Sequence, residues 1–382
     1  MAQRKAIVNI YEQFKELLGP VGAGIGLNGG ALCLSKLGYR HVWEDVAEQI
    51  HHVNQVSPSG NISRMFPLDL LKNTPMEGHF ICARRDLFIR NLFKAMEENP
   101  DVNIHIGEKA VNFDQTKDEA LVSFESGIKD SAEVIVCADG IHSAGIDYII
   151  RDEELAAAKH TGHCVYYGII PDIGRDMPDK TGYEIDVGGG CTIMTMPLPN
   201  REAMIAVCHP GNDDWHSDCR KWSFKVHDGE LHEVFTEHDF YNRQSIITPE
   251  MVMNTYRLLH LGVFEKQDLP KWHKGRICMI GDACHAMSPF LGQGANQAIQ
   301  DAYLLAEFLD EMPYEQAFQA FYDVRHPTVK RLVMASDGFG YLRIVDSFFG
   351  NIARNVMRAG TKYAPDKLLQ LMLMKTMAPN FL

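Results

Sequence analysis

Short runs of apolar residues, four to eight long and broken by turn residues, occupy much of the first 140 positions and predict strands. IVNIY (7–11) ends at Glu12, and VNIHIG, KAVNFDQ, EALVSFES and AEVIVCADG follow after residue 100. EALVSFES alternates as a half-buried strand does, whereas VIVCA is continuously apolar, as a central parallel strand would be. Helical spacing takes over in RRDLFIRNLFKAMEEN (84–99), where Leu87, Leu92, Phe93 and Met96 recur with charges between them. Asn28 is placed to cap a helix through GALCLSKLG that Gly38 ends. Residues 51–80, rich in Ser, Pro, Asn and Gly, read as loops and short strands.

From about 155 to 260 the texture is strand after strand: CVYYGIIP, YEIDV, CTIMTMPLP and AMIAVCH, with no long helix before about 228. RICMIGDA followed by ANQAIQDAYLLAEFLDEM returns to strand-then-helix, and the chain from 313 to 377 reads as mainly helical. The expected plan is an α/β domain of the nucleotide-binding type, residues 1–150 and 260–311, interrupted by a largely antiparallel β-sheet domain at 151–259. A helical region, 312–382, closes it. Residues 51–80 are counted with the first domain, with packing on the second as the alternative.

Composition narrows the function more than the fold. A net charge of -13 argues against non-specific nucleic-acid binding, which needs a basic surface. No apolar run approaches the roughly 20 residues of a membrane span, and MAQRKAIVNIYEQF lacks the apolar stretch of a secretory signal. The nine cysteines form no C-x-x-C pair and the seventeen histidines no H-E-x-x-H, so no metal site is expected. Unpaired cysteines suit a reducing compartment, the cytoplasm. The helices after 340 carry Phe348, Phe349, Ile352, Val356 and a Leu/Met cluster at 368–377, read as packing surfaces rather than membrane contacts.

The most specific string is GRICMIGDACHAMSPFLGQGANQAIQDAYLLAEFL (275–309). A buried strand delivers Asp282 at its C-terminal end; Pro289 follows in a loop, and Gly292 and Gly294 open a long helix. A carboxylate there can accept hydrogen bonds from a polyol, and a glycine-bordered helix start offers N–H groups to an anion. This string resembles the class A FAD-dependent monooxygenases, the aromatic-ring hydroxylases related to p-hydroxybenzoate and salicylate hydroxylases and to zeaxanthin epoxidase. Their G-D-x6-P motif is matched by Gly281-Asp282-ACHAMS-Pro289, with GQGAN after it.

The resemblance implies a Rossmann-like FAD-binding domain interrupted by a β-rich substrate domain. It places Asp282 on the ribitol of FAD, Pro289 beside the flavin ring, and the helix starting at Gly292, Gly294, Ala295 and Asn296 at the pyrimidine edge. VIVCADGIHS matches a second family motif and puts Asp139 and Gly140 near the pyrophosphates. Relatives continue H-S-x-V-R there, and this chain has Ala144-Gly145-Ile146-Asp147 instead. Arg84-x-x-Leu87 matches an arginine that reaches FAD between its halves, with Arg85 as the adjacent alternative. Tyr322-x-x-Arg325-x-Pro327 matches a structural helix. No catalytic base is identified, and His142 and His285 read as positional.

GPVGAGIGLNGGA (19–31) looks like a phosphate loop, with Gly24-x-Gly26-x-x-Gly29 and Glu44 about 20 residues on. A true loop of that kind follows directly on a buried strand, and ELLGPV, with Pro20, is a poor one. In the family, YEQ…GAGI.L…A…L..LG lies after the second strand, which makes Glu12 the acid on the adenosine ribose. The GxGxxG unit is then expected to be absent from this chain, with MAQRKAI as the tail of its helix and a central strand missing from the core.

The resemblance implies that NAD(P)H reduces the flavin and that O2 supplies one oxygen to an aromatic or otherwise apolar small molecule. Two alternatives stand beside it: a flavin-free relative acting as a binding or regulatory protein, and a flavin oxidoreductase that inserts no oxygen.

Overall fold

All the runs read above as strands form strands in the computed structural model, which describes residues 6–16, 22–173, 178, 180–211, 221–344, 356, 359–360 and 363–381. MAQRK, Pro20, Phe348, Phe349 and Ile352 lie outside the described residues. The first stretch contains β1 (Val8–Glu12), β2 (Gly24–Leu27), α1 (Gly29–Lys36), β3 (Ala47–Gln49), β4 (His52–Val56), β5 (Ile62–Phe66) and β6 (Ile81–Arg84). Then come α2 (Arg85–Glu97), β7 (Val102–Ile106), β8 (Ala110–Gln115), β9 (Ala120–Phe124), β10 (Lys129–Ala132), β11 (Ile135–Cys137), α3 (Ala144–Ile150) and α4 (Glu153–Ala156). The middle holds β12 (Ala158–Ile170), β13 (Thr181–Gly188), β14 (Cys191–Pro197), β15 (Ala203–Pro210), β16 (Ser223–Phe224), α5 (Glu230–Glu237), α6 (Pro249–Met253) and β17 (Tyr256–Lys266). The last part is β18 (His273–Lys274), β19 (Ile277–Met279), α7 (Asp282–His285), α8 (Gly294–Glu311), α9 (Tyr314–Ile344) and α10 (Asp366–Met377).

An eight-stranded sheet in the order β16-β17-β12-β15-β14-β13-β4-β5 organises the molecule. Its pairs are antiparallel except β4–β13, which run parallel from His52↔Thr181 to Val56↔Ile185. Residues 52–66 therefore extend this sheet despite their loop-like composition. One face buries Tyr166, Ile193 and Val207 against Leu231, Val234 and Phe235 of α5 and Met251 and Val252 of α6. The other packs Ile169 and Met204 with Ala23, Cys82 and the apolar side of α10, Leu373 and Met377. A twelve-residue helix is marginal alone. Burying each such side chain contributes roughly 1.5–3 kcal/mol, which fixes α10 in place. Its outer side leaves Leu368, Leu371 and Met372 exposed. Among the described residues no helix is long and apolar enough to cross a membrane.

A separate core lies under α3, α8 and α9, where Trp272, Leu304, Leu305, Phe318 and Phe321 pack on β8, β9, β11 and β19. Here one expectation fails. β11 pairs in parallel with β19 and, among the described residues, with no strand on its other edge. Its Ile135 and Val136 are only half-buried, so it is an edge strand rather than a central one. β1 and β7 likewise form a two-stranded parallel pair of their own.

Gly24 and Gly26 lie in neither a phosphate loop nor a turn. They sit inside β2, antiparallel to β6, with Gly24 opposite Arg84 and Gly26 opposite Cys82. A Cβ on Gly24 would come within 2.9 Å of Met204, and one on Gly29 within 2.1 Å of the Met377 carbonyl oxygen. Close packing, not phosphate approach, explains both glycines. Asn28 caps α1 as expected, its side chain accepting from Gly29 N at 2.6 Å, and Gly38 follows at φ +84°.

Candidate active site

β11 and β19 run in register from Ile135↔Ile277 to Cys137↔Met279, so the Asp139-Gly140 and Gly281-Asp282 turns leave the same end of the sheet side by side. Open α/β sheets place ligands at the carboxyl ends of parallel strands. Gly281 turns at φ +59°, and its N–H donates to Asp301 Oδ2 at 2.9 Å. The same oxygen meets His285 Nε2 at 2.6 Å, while Asp301 Oδ1 accepts from Arg325 Nε at 2.7 Å. Arg325 also reaches Gln297 Oε1 at 2.6 Å, and Asp301 and Arg325 are wholly buried. Burial pushes the Asp301 carboxyl up, yet His285 and Arg325 hold it below the usual carboxylate range. This ion cluster fixes the turn that presents Asp282, and it explains why His285 and Arg325 are positional.

Asp282 is exposed to solvent, yet desolvation by surrounding protein raises its pKa, more than His285 and Arg85 lower it. The carboxylate is thus open to a ligand and at the same time flanked by protein atoms. Beside it opens α8, eighteen residues long and without a side-chain cap. A Cβ built on Gly294 lies 3.9 Å from Asp282 Oδ1. Gly292 at φ +60° and Pro289 are exposed, and Gly294 and Ala295 are half-buried. The helix start carries roughly half a positive charge with unpaired N–H groups. An acceptor for hydroxyls beside an anion-favouring helix end suits a ligand with a polyol and an electron-rich ring edge, as FAD has.

Asn296 sits apart from that role. Its Oδ1 accepts from Asn28 N at 2.7 Å and Gly30 N at 3.1 Å, and its Nδ2 donates to Gly26 O and Gly292 O, both at 3.0 Å. The side chain is completely buried and clasps the start of α1 to the start of α8. The α1 N–H groups that a phosphate would need are thus already bonded. Arg84 also needs correction. Nε and Nη2 bond Asp86 at 3.1 and 3.0 Å, and Nη1 bonds Glu202 at 3.0 Å and the Tyr256 hydroxyl at 3.2 Å. With every guanidinium nitrogen engaged, Arg84 latches α2 to the large sheet. Arg85, one residue on, is exposed and within electrostatic reach of Asp282.

Asp139 is exposed and accepts from Ala144 N at 3.0 Å, so it caps α3 together with Ser143. Gly140 takes φ +81°. A Cβ on Gly145 would lie 2.4 Å from Cys137 Sγ, which accounts for glycine in the departure from H-S-x-V-R. Glu12 ends β1 and accepts from Phe14 N at 2.9 Å, but no strand ladder joins its pair to β11–β19 among the described residues.

Sequence reading missed a second set of groups. His163 on β12 meets the Phe290 ring edge-on at 5.5 Å, and burial pushes its pKa down to about 4, leaving it neutral. Burial and Asp337 push Glu265 up to about 7, and Ser288 Oγ donates to Asp337 at 3.0 Å. These residues come from β12, β17, α9 and the turn before Pro289, so no local spacing announces them.

The family described as FAD binding domain matches residues 47–336, about three quarters of the chain. The 6-methylsalicylate 1-monooxygenase of Aspergillus terreus is 25% identical over 355 residues, covering 86% of this chain and 76% of the relative. The salicylate hydroxylase of Pseudomonas putida is 26% identical over 258 residues, 62% of this chain and 58% of its own length. HpxO of Klebsiella pneumoniae, solved with FAD and uric acid, superposes with a TM-score of 0.75 at 16% identity, covering 96% of this chain and 89% of that one.

Proposed function

Because this chain belongs to the FAD-binding-domain family of FAD-dependent monooxygenases, we propose that it hydroxylates a small aromatic molecule, with NAD(P)H as electron donor and O2 as co-substrate. The observation that carries the reading is the accessible Asp282 carboxylate beside the uncapped start of α8. FAD, when bound, supplies the redox chemistry: it takes electrons from NAD(P)H and activates O2.

The residues of this chain bind and orient. Asp282 accepts hydrogen bonds from the ribitol, and Arg85 offers a permanent cation to phosphate and ribose oxygens. Glu12 holds the adenosine ribose, and the Asp139-Gly140 turn borders the pyrophosphate. The α8 dipole favours negative charge at the ring edge. Pro289 lines the ring, and the substrate lies between this turn and the sheet face that carries His163. A neutral His163 and the Phe290 ring make that wall suited to an aromatic molecule. No disulfide joins the described cysteines, which is in keeping with a reducing compartment such as the cytoplasm.

The test is the visible absorbance spectrum of the natively purified chain before and after adding FAD, followed by turnover under 18O2. A bound-flavin spectrum is expected, with affinity falling about 10- to 100-fold in Asp282→Ala, as for loss of a hydrogen bond to a charged group. A folded chain that takes up no flavin refutes the site. Substrate-dependent NAD(P)H oxidation without labelled product refutes hydroxylation.

A further inference from the structure

Cys164 on β12, His209 on β15 and His260 on β17 converge on the sheet face opposite the one that carries His163. Cys164 stands directly across from His209 in the ladder, and His260 across from Tyr166, two residues along the same face. All three are buried, and their ligand atoms lie within 4.8 Å of one another. The imidazoles meet Nε2 to Nε2 at 3.0 Å. His209 Nδ1 bonds the Pro210 carbonyl oxygen at 2.9 Å, so Nδ1 carries the hydrogen and the Nε2 lone pair points into the cluster. That partnership is the usual outer support of a metal-binding histidine. His260 is clamped between the Tyr166 ring at 3.9 Å and the Phe224 ring at 4.3 Å, both nearly parallel to it.

We propose that Cys164, His209 and His260 form a zinc site that staples three adjacent strands together. One thiolate and two imidazoles are a donor set for borderline-soft Zn2+ and not for Mg2+ or Ca2+, which take oxygen ligands. Bonds of about 2.0 Å to nitrogen and 2.3 Å to sulfur set tetrahedral neighbours roughly 3.3–3.7 Å apart, so the histidine pair opens by a few tenths of an ångström. On binding, the Cys164 thiol proton leaves to solvent, and the hydrogen shared between the two Nε2 atoms moves to His260 Nδ1. The other candidate set, Cys284, His285 and Asp301, is unsuited to a cation because Arg325 already neutralises Asp301. Sequence spacing hid the Cys164 site, since its three ligands come from three strands.

The experiment uses the full chain, purified through a histidine-free tag without chelator and analysed for metal by mass spectrometry and zinc-edge X-ray absorption. One zinc per chain is expected, with a sulfur shell at about 2.3 Å and nitrogen at about 2.0 Å. Cys164→Ser and His260→Gln should each lower the content to under about a tenth of an ion per chain. Wild-type protein that stays below that level after incubation with zinc chloride and gel filtration overturns the site. A mutually hydrogen-bonded histidine pair is then all that is there. Zinc without a sulfur shell, or zinc retained by folded Cys164→Ser, overturns it equally. If neither variant folds, the wild-type content and its sulfur shell decide.

Discussion

Asp301→Asn keeps the shape of the side chain and removes the charge to which Arg325 and His285 are bonded. Asp301 accepts on both oxygens: Oδ1 from Arg325 and Oδ2 from Gly281 N and His285. Asparagine can accept on only one side, so its NH2 must face donors on the other. Arg325 is 0% exposed and would become a buried cation without a carboxylate, left with neutral partners such as Gln297, Gln300 and the Phe381 ring. Breaking one partner out of a buried ion pair costs about 3–5 kcal/mol. Equilibrium urea unfolding followed by circular dichroism measures this directly. The double variant Asp301→Asn/Arg325→Met removes the stranded cation as well, so it should lose less than the two single losses added together. A single variant within about 1 kcal/mol of wild type would refute the claim that this cluster holds the Gly281 turn. The same variant should weaken FAD binding, because Asp282 follows Gly281 directly.

Arg85→Ala should weaken FAD binding in a fluorescence titration with little change in stability, whereas Arg84→Ala should lower the melting temperature by breaking the Asp86–Glu202–Tyr256 latch; the reverse pattern would restore Arg84 as the cofactor arginine. Asn296→Ala strands two buried N–H groups and should cost at least about 2 kcal/mol in urea unfolding, with a near-neutral result counting against the clasp. Glu265, raised to about 7 by burial and Asp337, binds its proton more tightly folded than unfolded. Its contribution is therefore complete below the unfolded carboxyl pKa and is lost as pH rises through about 7. Stability should fall over that window, by about 1–2 kcal/mol once solvent screening of this half-buried group is allowed for, and Glu265→Gln should flatten the profile. An unchanged slope in the variant would assign the effect elsewhere.

What the sequence displayed was whatever is contiguous. Asp282, Pro289 and the start of α8 lie within thirteen residues, and Gly294 comes back beside the Asp282 carboxylate. Arg84 and Arg85 show the limit of that reading. The chain passes from β6 into α2 between them, so neighbouring side chains leave in different directions, and only the contacts separate latch from ligand arm. Asp301 and Arg325 are i and i+24 on successive helices, and the Glu265–Asp337 pair spans a strand and a helix. Such pairs are made by packing, which one-dimensional spacing does not record. Residues 51–80 read as a mixture of loops and short strands because β5 is an edge strand with Ile62 exposed, so alternation is weak there. β11 misled in the opposite way: apolar content suggests burial on both faces but says nothing about how many neighbours a strand has.

The isolated pair β1–β7 has a consequence for how the molecule breathes. Among the described residues no strand ladder joins it to the other sheets, and side chains make contact instead, with the Tyr11 hydroxyl donating to Asp130 and its ring 4.3 Å from Phe124. A continuous backbone ladder opens cooperatively, whereas a side-chain dock can release on its own. Amide protons of β1 and β7 should then exchange with deuterium well before those of β12, β15 and β14, each paired on both sides. Glu12 travels with that loosely fastened piece, while Asp282 is anchored to the slow-exchanging part. A dinucleotide seated across both would meet one fixed jaw and one yielding jaw, and its arrival would tighten the protein chiefly at the adenosine end.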